Sequence, residues 1–191
     1  SAASPPPSTA NAVMAVRKVQ EDTAPSSHTT PTVNSPPVLT DKFGRKHTYL
    51  RLSMTEKCNL RCLYCMPGDG IPLQQQMHLL SGDELVEIAE TFIEQGVDKI
   101  RLTGGEPLIS PHVTQVCTAL GAMPQVELLG ITTNGLLLPR KFPTLLDAGV
   151  NRINISLDTL VQEKFEFLTR RRGFHRVMES IDMALDAQEE Q

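Results

Sequence analysis

No apolar run in this sequence approaches the roughly 18 residues that a membrane-spanning helix needs. Positive charge is in short supply too. Eighteen Lys and Arg against 22 Asp and Glu leave a net charge of −4, which gives no footprint for nucleic acid or an anionic membrane surface. Cysteine is scarce: three of the four crowd between positions 58 and 65, which argues against a secreted disulfide framework and for a reducing compartment. A soluble, intracellular chain without nucleic-acid or membrane partners is expected. No side chain reads as a general base, so no acid–base catalyst is nominated.

Hydrophobic periodicity is missing from residues 1–38, which hold seven of the fourteen prolines and many Ser and Thr. Such a segment cannot bury enough apolar surface to offset its ordering entropy, so it is expected to be disordered. Arginine is nearly absent there as well: Arg17 and Lys18 stand beside Glu21 and Asp22, a weak match to a mitochondrial transit peptide. Residues 39–191 are expected to form one folded unit with a real core.

What the chain does have is a compact trio of thiols. Cys58, Cys62 and Cys65 follow the spacing C-x-x-x-C-x-x-C directly after an expected strand. A structural zinc site normally takes four ligands, and an ordinary cubane cluster takes four cysteines. Three soft donors from one loop point to a cluster with one iron left open, with zinc or a chance grouping of thiols as the alternative. Cys117 is expected to be a small buried hydrophobe.

From Tyr49 onward strand and helix patterns alternate, the signature of a parallel α/β architecture. Strands are expected near 49–55, 99–103, 126–132 and 152–157. The first helix should start at Ser81, whose S-x-x-E pattern to Glu84 forms a capping box, and stop at Gly96. The second is expected to open with Ser110 as cap and Pro111 in its first turn, and a short third helix to lie near 142–148. The last should run from about Phe174, with Val177, Met178, Ile181 and Leu185 on its buried stripe.

The strands alternate where covered parallel strands usually read as apolar on both faces. Leu50, Leu52 and Met54 face one way, and Arg51, Ser53 and Thr55 the other. Ile100 and Leu102 oppose Lys99, Arg101 and Thr103, while Ile153, Ile155 and Leu157 oppose Arg152, Asn154, Ser156 and Asp158. Burying the basic face without partners would cost several kcal/mol per charge, of the order known for buried ions. It must line something wet or anionic; an uncovered, solvent-facing sheet is the plainer alternative.

Two motifs then carry a resemblance. Cys58-x-x-x-Cys62-x-Tyr64-Cys65 followed by Thr103-Gly104-Gly105-Glu106-Pro107 resembles the radical S-adenosylmethionine (SAM) superfamily. With Asp41–Arg45, Tyr49–Ser53 and Asn154–Asp158 added, residues 39–187 resemble the GTP 3′,8-cyclase family of molybdenum cofactor biosynthesis. The resemblance implies a partial (β/α) barrel and a [4Fe–4S] cluster on Cys58, Cys62 and Cys65. It implies SAM binding by Tyr64, Gly105 and Ser156, and GTP binding by Arg51, Arg101 and Thr132, with Lys99 as an extra phosphate contact or a surface ion pair. The implied reaction removes hydrogen from C3′ of the GTP ribose and closes a bond to C8 of guanine. A reductive electron donor and the next pterin enzyme, cyclic pyranopterin monophosphate synthase, are the implied partners, and a mitochondrial matrix location goes with them. The Arg170-Arg171-Arg172 run reads as a solvated loop.

The family pattern runs to six β/α units and a second set of three cysteines, whereas this sequence shows four units and no second set. The fourth strand is therefore expected to present an unpaired edge. A non-catalytic short form acting as scaffold or competitor, and another radical SAM enzyme such as a glycyl-radical activase, are the alternatives to a cyclase.

Overall fold

The computed structural model describes residues 12–15, 38–75 and 79–189. Their centre is a five-stranded sheet in the order β1-β5-β4-β3-β2. The strands are β1 (Ala12–Ala15), β2 (Tyr49–Ser53), β3 (Lys99–Thr103), β4 (Leu128–Thr133) and β5 (Arg152–Ile155). β2 to β5 are mutually parallel, and each is followed by a helix, which makes four β/α units of a partial barrel. The helices are α1 (Gly82–Glu94), α2 (Val113–Gly121), α3 (Leu138–Asp147), α4 (Gln162–Thr169) and α5 (Phe174–Glu189), with a 3₁₀ turn over Pro107–Ile109.

The core follows from alternation. Leu52, Ile100, Leu102, Leu129, Ile131, Ile153 and Ile155 form the apolar face of the sheet and are buried. Against them pack Leu85, Ala89 and Ile93 of α1, Val113, Val116 and Leu120 of α2, Phe142 and Leu145 of α3, and Val177 and Ala184 of α5. Cys117 is fully buried in this layer, and burial pushes its thiol up to about 12, so it is an inert hydrophobe. The capping box at α1 forms as expected: Glu84 N–H donates to Ser81 Oγ and Ser81 N–H to Glu84 Oε2.

Four expectations need correction. Ser110 does not cap α2: it ends the 3₁₀ turn and accepts from the N–H of His112, the actual N-cap residue, because the Glu106-Pro107 turn takes up the chain before the helix can start. α3 begins at Leu138, with Pro139 in its first turn where the missing N–H costs nothing. Leu185 is 43% exposed; the buried stripe of α5 runs through Val177, Ser180 and Ala184 instead. The edge of β5 is not left open, because β1 pairs with it antiparallel from Ala12↔Ile155 to Ala15↔Arg152 and takes up the backbone groups an edge would expose. Apart from Ala12–Ala15 and Val38, the extension expected to be disordered lies outside the described residues.

Candidate functional site

Register builds the polar face. Arg51 pairs with Arg101, Arg101 with Gly130, and Gly130 with Arg152, so three arginines and a glycine share one row across four strands. Gly130 supplies no side chain between its neighbours; a Cβ there would touch Arg101 Cζ at 3.6 Å and Arg152 Cβ at 3.4 Å. Arg101 Nη1 donates to Thr132 Oγ1 at 3.4 Å. Among the described residues the ion pairs are Asp41–Arg45 and Asp98–Lys99, so neither Arg51 nor Arg101 has a carboxylate partner. Like charges in one row repel unless an anion or water separates them.

A cavity of about 320 Å³ opens over Arg51 and Arg101, lined also by Tyr49, Thr132, Asn154, Ile155 and Ser156. It gathers the three residues expected to bind substrate and one of the three expected to bind cofactor. Lys99 is not among its walls, and it pairs with Asp98 at 3.6 Å. Asn154 was on the expected polar face without a site role, and the cavity gives it a wall position.

The three thiols sit on the loop leaving β2. Cys58 and Cys62 are partly buried, Cys65 is exposed, and none is in a disulfide. Burial pushes the Cys58 and Cys62 thiols above the ordinary cysteine value; the backbone N–H of Leu60 pulls Cys58 back, and the neighbouring Tyr64 hydroxyl pulls Cys62 back. Among the described residues no three His, Cys, Asp or Glu side chains are arranged to hold a single metal ion. Three soft donors on one loop would suit an iron–sulfur group with a face left for another ligand.

The loop is anchored on three sides. Arg61 N–H donates to Thr169 O and Leu63 N–H to Leu168 O, both at 2.9 Å, which ties it to the end of α4. Tyr64 is 69% exposed, yet its hydroxyl donates to Asp158 Oδ2 at 2.8 Å, two residues past the cavity wall at Ser156. Burial and the Asp158 carboxylate raise the Tyr64 phenol well above its ordinary value, so it stays a donor. The third anchor is the turn after β3. Gly105 N–H donates to Thr55 O at 2.7 Å and Glu106 N–H to Lys57 O at 2.8 Å. This contact requires both glycines: Gly104 has φ +130, its Cβ would lie 2.5 Å from Thr55 O, and a Cβ on Gly105 would strike Lys57 O. Tyr64 and Gly105 thus belong to the cysteine loop and its support, outside the cavity lining.

Behind the glycines lies a residue for which sequence reasoning found no role. Glu106 is 1% exposed and accepts from Thr133 Oγ1 at 2.7 Å, Asn134 N–H at 2.7 Å and Leu108 N–H at 3.1 Å. Burial pushes its carboxyl above the usual carboxylate range, against these three donors. Asn134 continues the chain of contacts by donating to Asn59 Oδ1 at 2.6 Å. A Thr-Asn-Gly turn directly after a strand was the available signal for it.

A half-barrel of parallel strands with a three-thiol loop after its first parallel strand defines a cofactor-dependent α/β enzyme class. Residues 52–189 match the model of the Radical SAM superfamily, and the chain belongs to that superfamily. It is 55% identical over 148 residues to mouse "Molybdenum cofactor biosynthesis protein 1", covering 78% of this chain and 23% of that protein. It is 54% identical over 149 residues to "GTP 3',8-cyclase, mitochondrial" of Arabidopsis thaliana, covering 78% of this chain and 38% of the plant protein. The chain therefore spans well under half the length of these relatives. In fold it is similar to Streptococcus suis SuiB bound to S-adenosylmethionine, with a TM-score of 0.57 at 19% identity over 73% of this chain and 30% of that one. Among the described residues no helix is long and apolar enough to cross a membrane.

Proposed function

We propose that the chain carries part of the catalytic barrel of a GTP 3′,8-cyclase, the enzyme converting GTP to (8S)-3′,8-cyclo-7,8-dihydroguanosine 5′-triphosphate in molybdenum cofactor biosynthesis. One observation carries the reading. Arg51 and Arg101, which pair with no carboxylate among the described residues, line a cavity whose wall at Ser156 is two residues from Asp158, the partner of Tyr64 on the three-cysteine loop. The cavity and the three-cysteine loop are thus joined through Tyr64 and the segment after β5.

Cys58, Cys62 and Cys65 would hold a [4Fe–4S] cluster. When bound, the cluster and SAM supply a hydrogen-abstracting carbon radical, and the protein supplies orientation and exclusion of competing reactions. Arg51 and Arg101 present planar donors that suit phosphate oxygens, and Thr132, bonded to Arg101, holds that guanidinium in place. Ser156 offers a hydroxyl to SAM from the cavity wall, Tyr64 a ring from the cysteine loop, and Gly105 an unobstructed backbone for the amino end of the cofactor.

A reductive electron donor and the next pterin enzyme are the partners this activity requires. The plant relative's name supports a mitochondrial location. The names of both relatives favour the cyclase over a glycyl-radical activase and over a purely scaffolding role. The test is calorimetric titration of GTP, with ATP as control, into anaerobically reconstituted chain, followed by SAM cleavage with and without GTP. The expected result is preferential GTP binding and cleavage that responds to GTP. Fast cleavage indifferent to GTP, with no GTP binding, would overturn the assignment.

A further inference from the structure

The contact between the turn after β4 and the cysteine loop has no part in that account. Asn134 makes it, and Asn134 is 8% exposed. Its backbone N–H donates to Glu106 Oε2 at 2.7 Å and its Oδ1 accepts from Leu136 N–H at 3.1 Å. Its Nδ2 donates to Asn59 Oδ1 at 2.6 Å and reaches Cys58 Sγ at 4.0 Å. The partners settle the orientation of the amide. Turned over, it would set Oδ1 against Asn59 Oδ1 and an NH₂ against the Leu136 N–H, two repulsive contacts in place of two hydrogen bonds.

The two protons of Nδ2 therefore point at the two residues that open the cysteine motif. The same arm is held from its other side, where Arg61 Nη1 donates to Cys58 O at 2.7 Å and Leu60 O at 2.8 Å. Cys58 Sγ also accepts from Leu60 N–H at 3.4 Å. The three sulfurs are thus not equivalent: among the described residues, Cys58 is the one that faces N–H donors both from its own loop and from the turn after β4. Hydrogen bonds to a ligating sulfur favour the more negative, reduced state of an iron–sulfur group, and groups behind the ligands set their orientation.

We propose that Asn134, anchored by Glu106, is a positioning residue that fixes the Asn59–Cys58 arm and aims an amide N–H at the Cys58 sulfur. The proposal rests on the reading of the cysteine trio as the cluster site. It gives the Gly-Gly-Glu turn a second task, because Glu106 couples the ends of β3 and β4 to one ligand of the trio. It also makes Cys58 the ligand whose environment depends on the rest of the barrel.

The test uses the full chain, prepared and reconstituted anaerobically with iron and sulfide, as wild type, Asn134→Ala and Asn59→Ala. Iron content, the one-electron midpoint potential, the electron paramagnetic resonance spectrum of the reduced form and the urea midpoint are measured for each. Asn134→Ala is expected to hold iron but to show a reduced-to-oxidised ratio about tenfold lower at the wild-type midpoint, a shift of about 59 mV for one electron, with altered g-values. Asn59→Ala leaves the Asn134–Glu106 bond in place and is expected to broaden the spectrum through a looser Cys58 arm. It carries the test if Asn134→Ala does not fold. Wild-type potential and spectrum in the folded variants, with only stability lowered, would overturn the proposal and leave the cluster assignment standing. A wild type that takes up no iron would overturn both.

Discussion

Glu106 has three hydrogen-bond donors on one carboxylate in a site that excludes water, and this sets what substitutions there should do. Gln would replace one acceptor oxygen by a donor facing an N–H or O–H, and leaving a buried group unmatched costs about 1–3 kcal/mol. Glu106→Gln should lower the urea-derived stability by about that amount. The carboxyl's folded value is raised by burial, so its stability contribution is fully present below the unfolded value of 4.5 and is lost as pH rises through the elevated folded value. Stability measured from pH 4 to 7 should show that component in the wild type and not in the Gln variant. Gly105→Ala should be worse, because the new methyl meets backbone at Lys57 O and not a yielding side chain. A loss of at least about 2 kcal/mol, or failure to take up iron at all, is expected. The role of Glu106 was not legible in the sequence. Its partners Thr133 and Asn134 lie 27 and 28 positions away, and no local period encodes such a pairing.

At the scale of elements, alternation carried the most information. Arg51, Arg101 and Asn154 lie on the side opposite Leu52, Leu102 and Ile153 because a pleated strand allows only two directions, so the polar face could be read from sequence. α4 could not. Its first turn has no side-chain cap, and its buried positions are few: Phe165 and Thr169 among exposed Glu163, Lys164 and Phe167. β1 was hidden for a different reason, since four residues of Ala, Val and Met amid prolines carry no strand signal until an open edge offers them backbone partners. Boundaries set by caps fared unevenly. Ser81 forms its box, and Ser81→Ala should cost about 1 kcal/mol in urea denaturation while leaving GTP affinity unchanged. Ser110 looked equally good, but Pro107–Ile109 takes the 3₁₀ turn before it.

In the whole molecule, one layer of helices covers one face of the sheet and leaves the other face to a cavity walled by Arg51 and Arg101. Charge-assisted contacts to phosphate are worth about 1.5–3 kcal/mol each, so Arg101→Ala should weaken GTP binding roughly ten- to hundredfold. The loss should be smaller at high salt, where screening already weakens the wild type. Sequence placed the cysteine trio and the arginine row separately. Only the fold shows the cysteine loop tied to the segment after β5 through Tyr64–Asp158 and to the turns after β3 and β4 through Glu106–Asn134–Asn59. The most direct test of this account is the iron and acid-labile sulfide content of the chain after anaerobic reconstitution. About four of each per chain, lost together in a Cys62→Ala variant, is the predicted result for a [4Fe–4S] group. A preparation that carries zinc, or stays colourless and metal-free with iron and sulfide in excess, would contradict it.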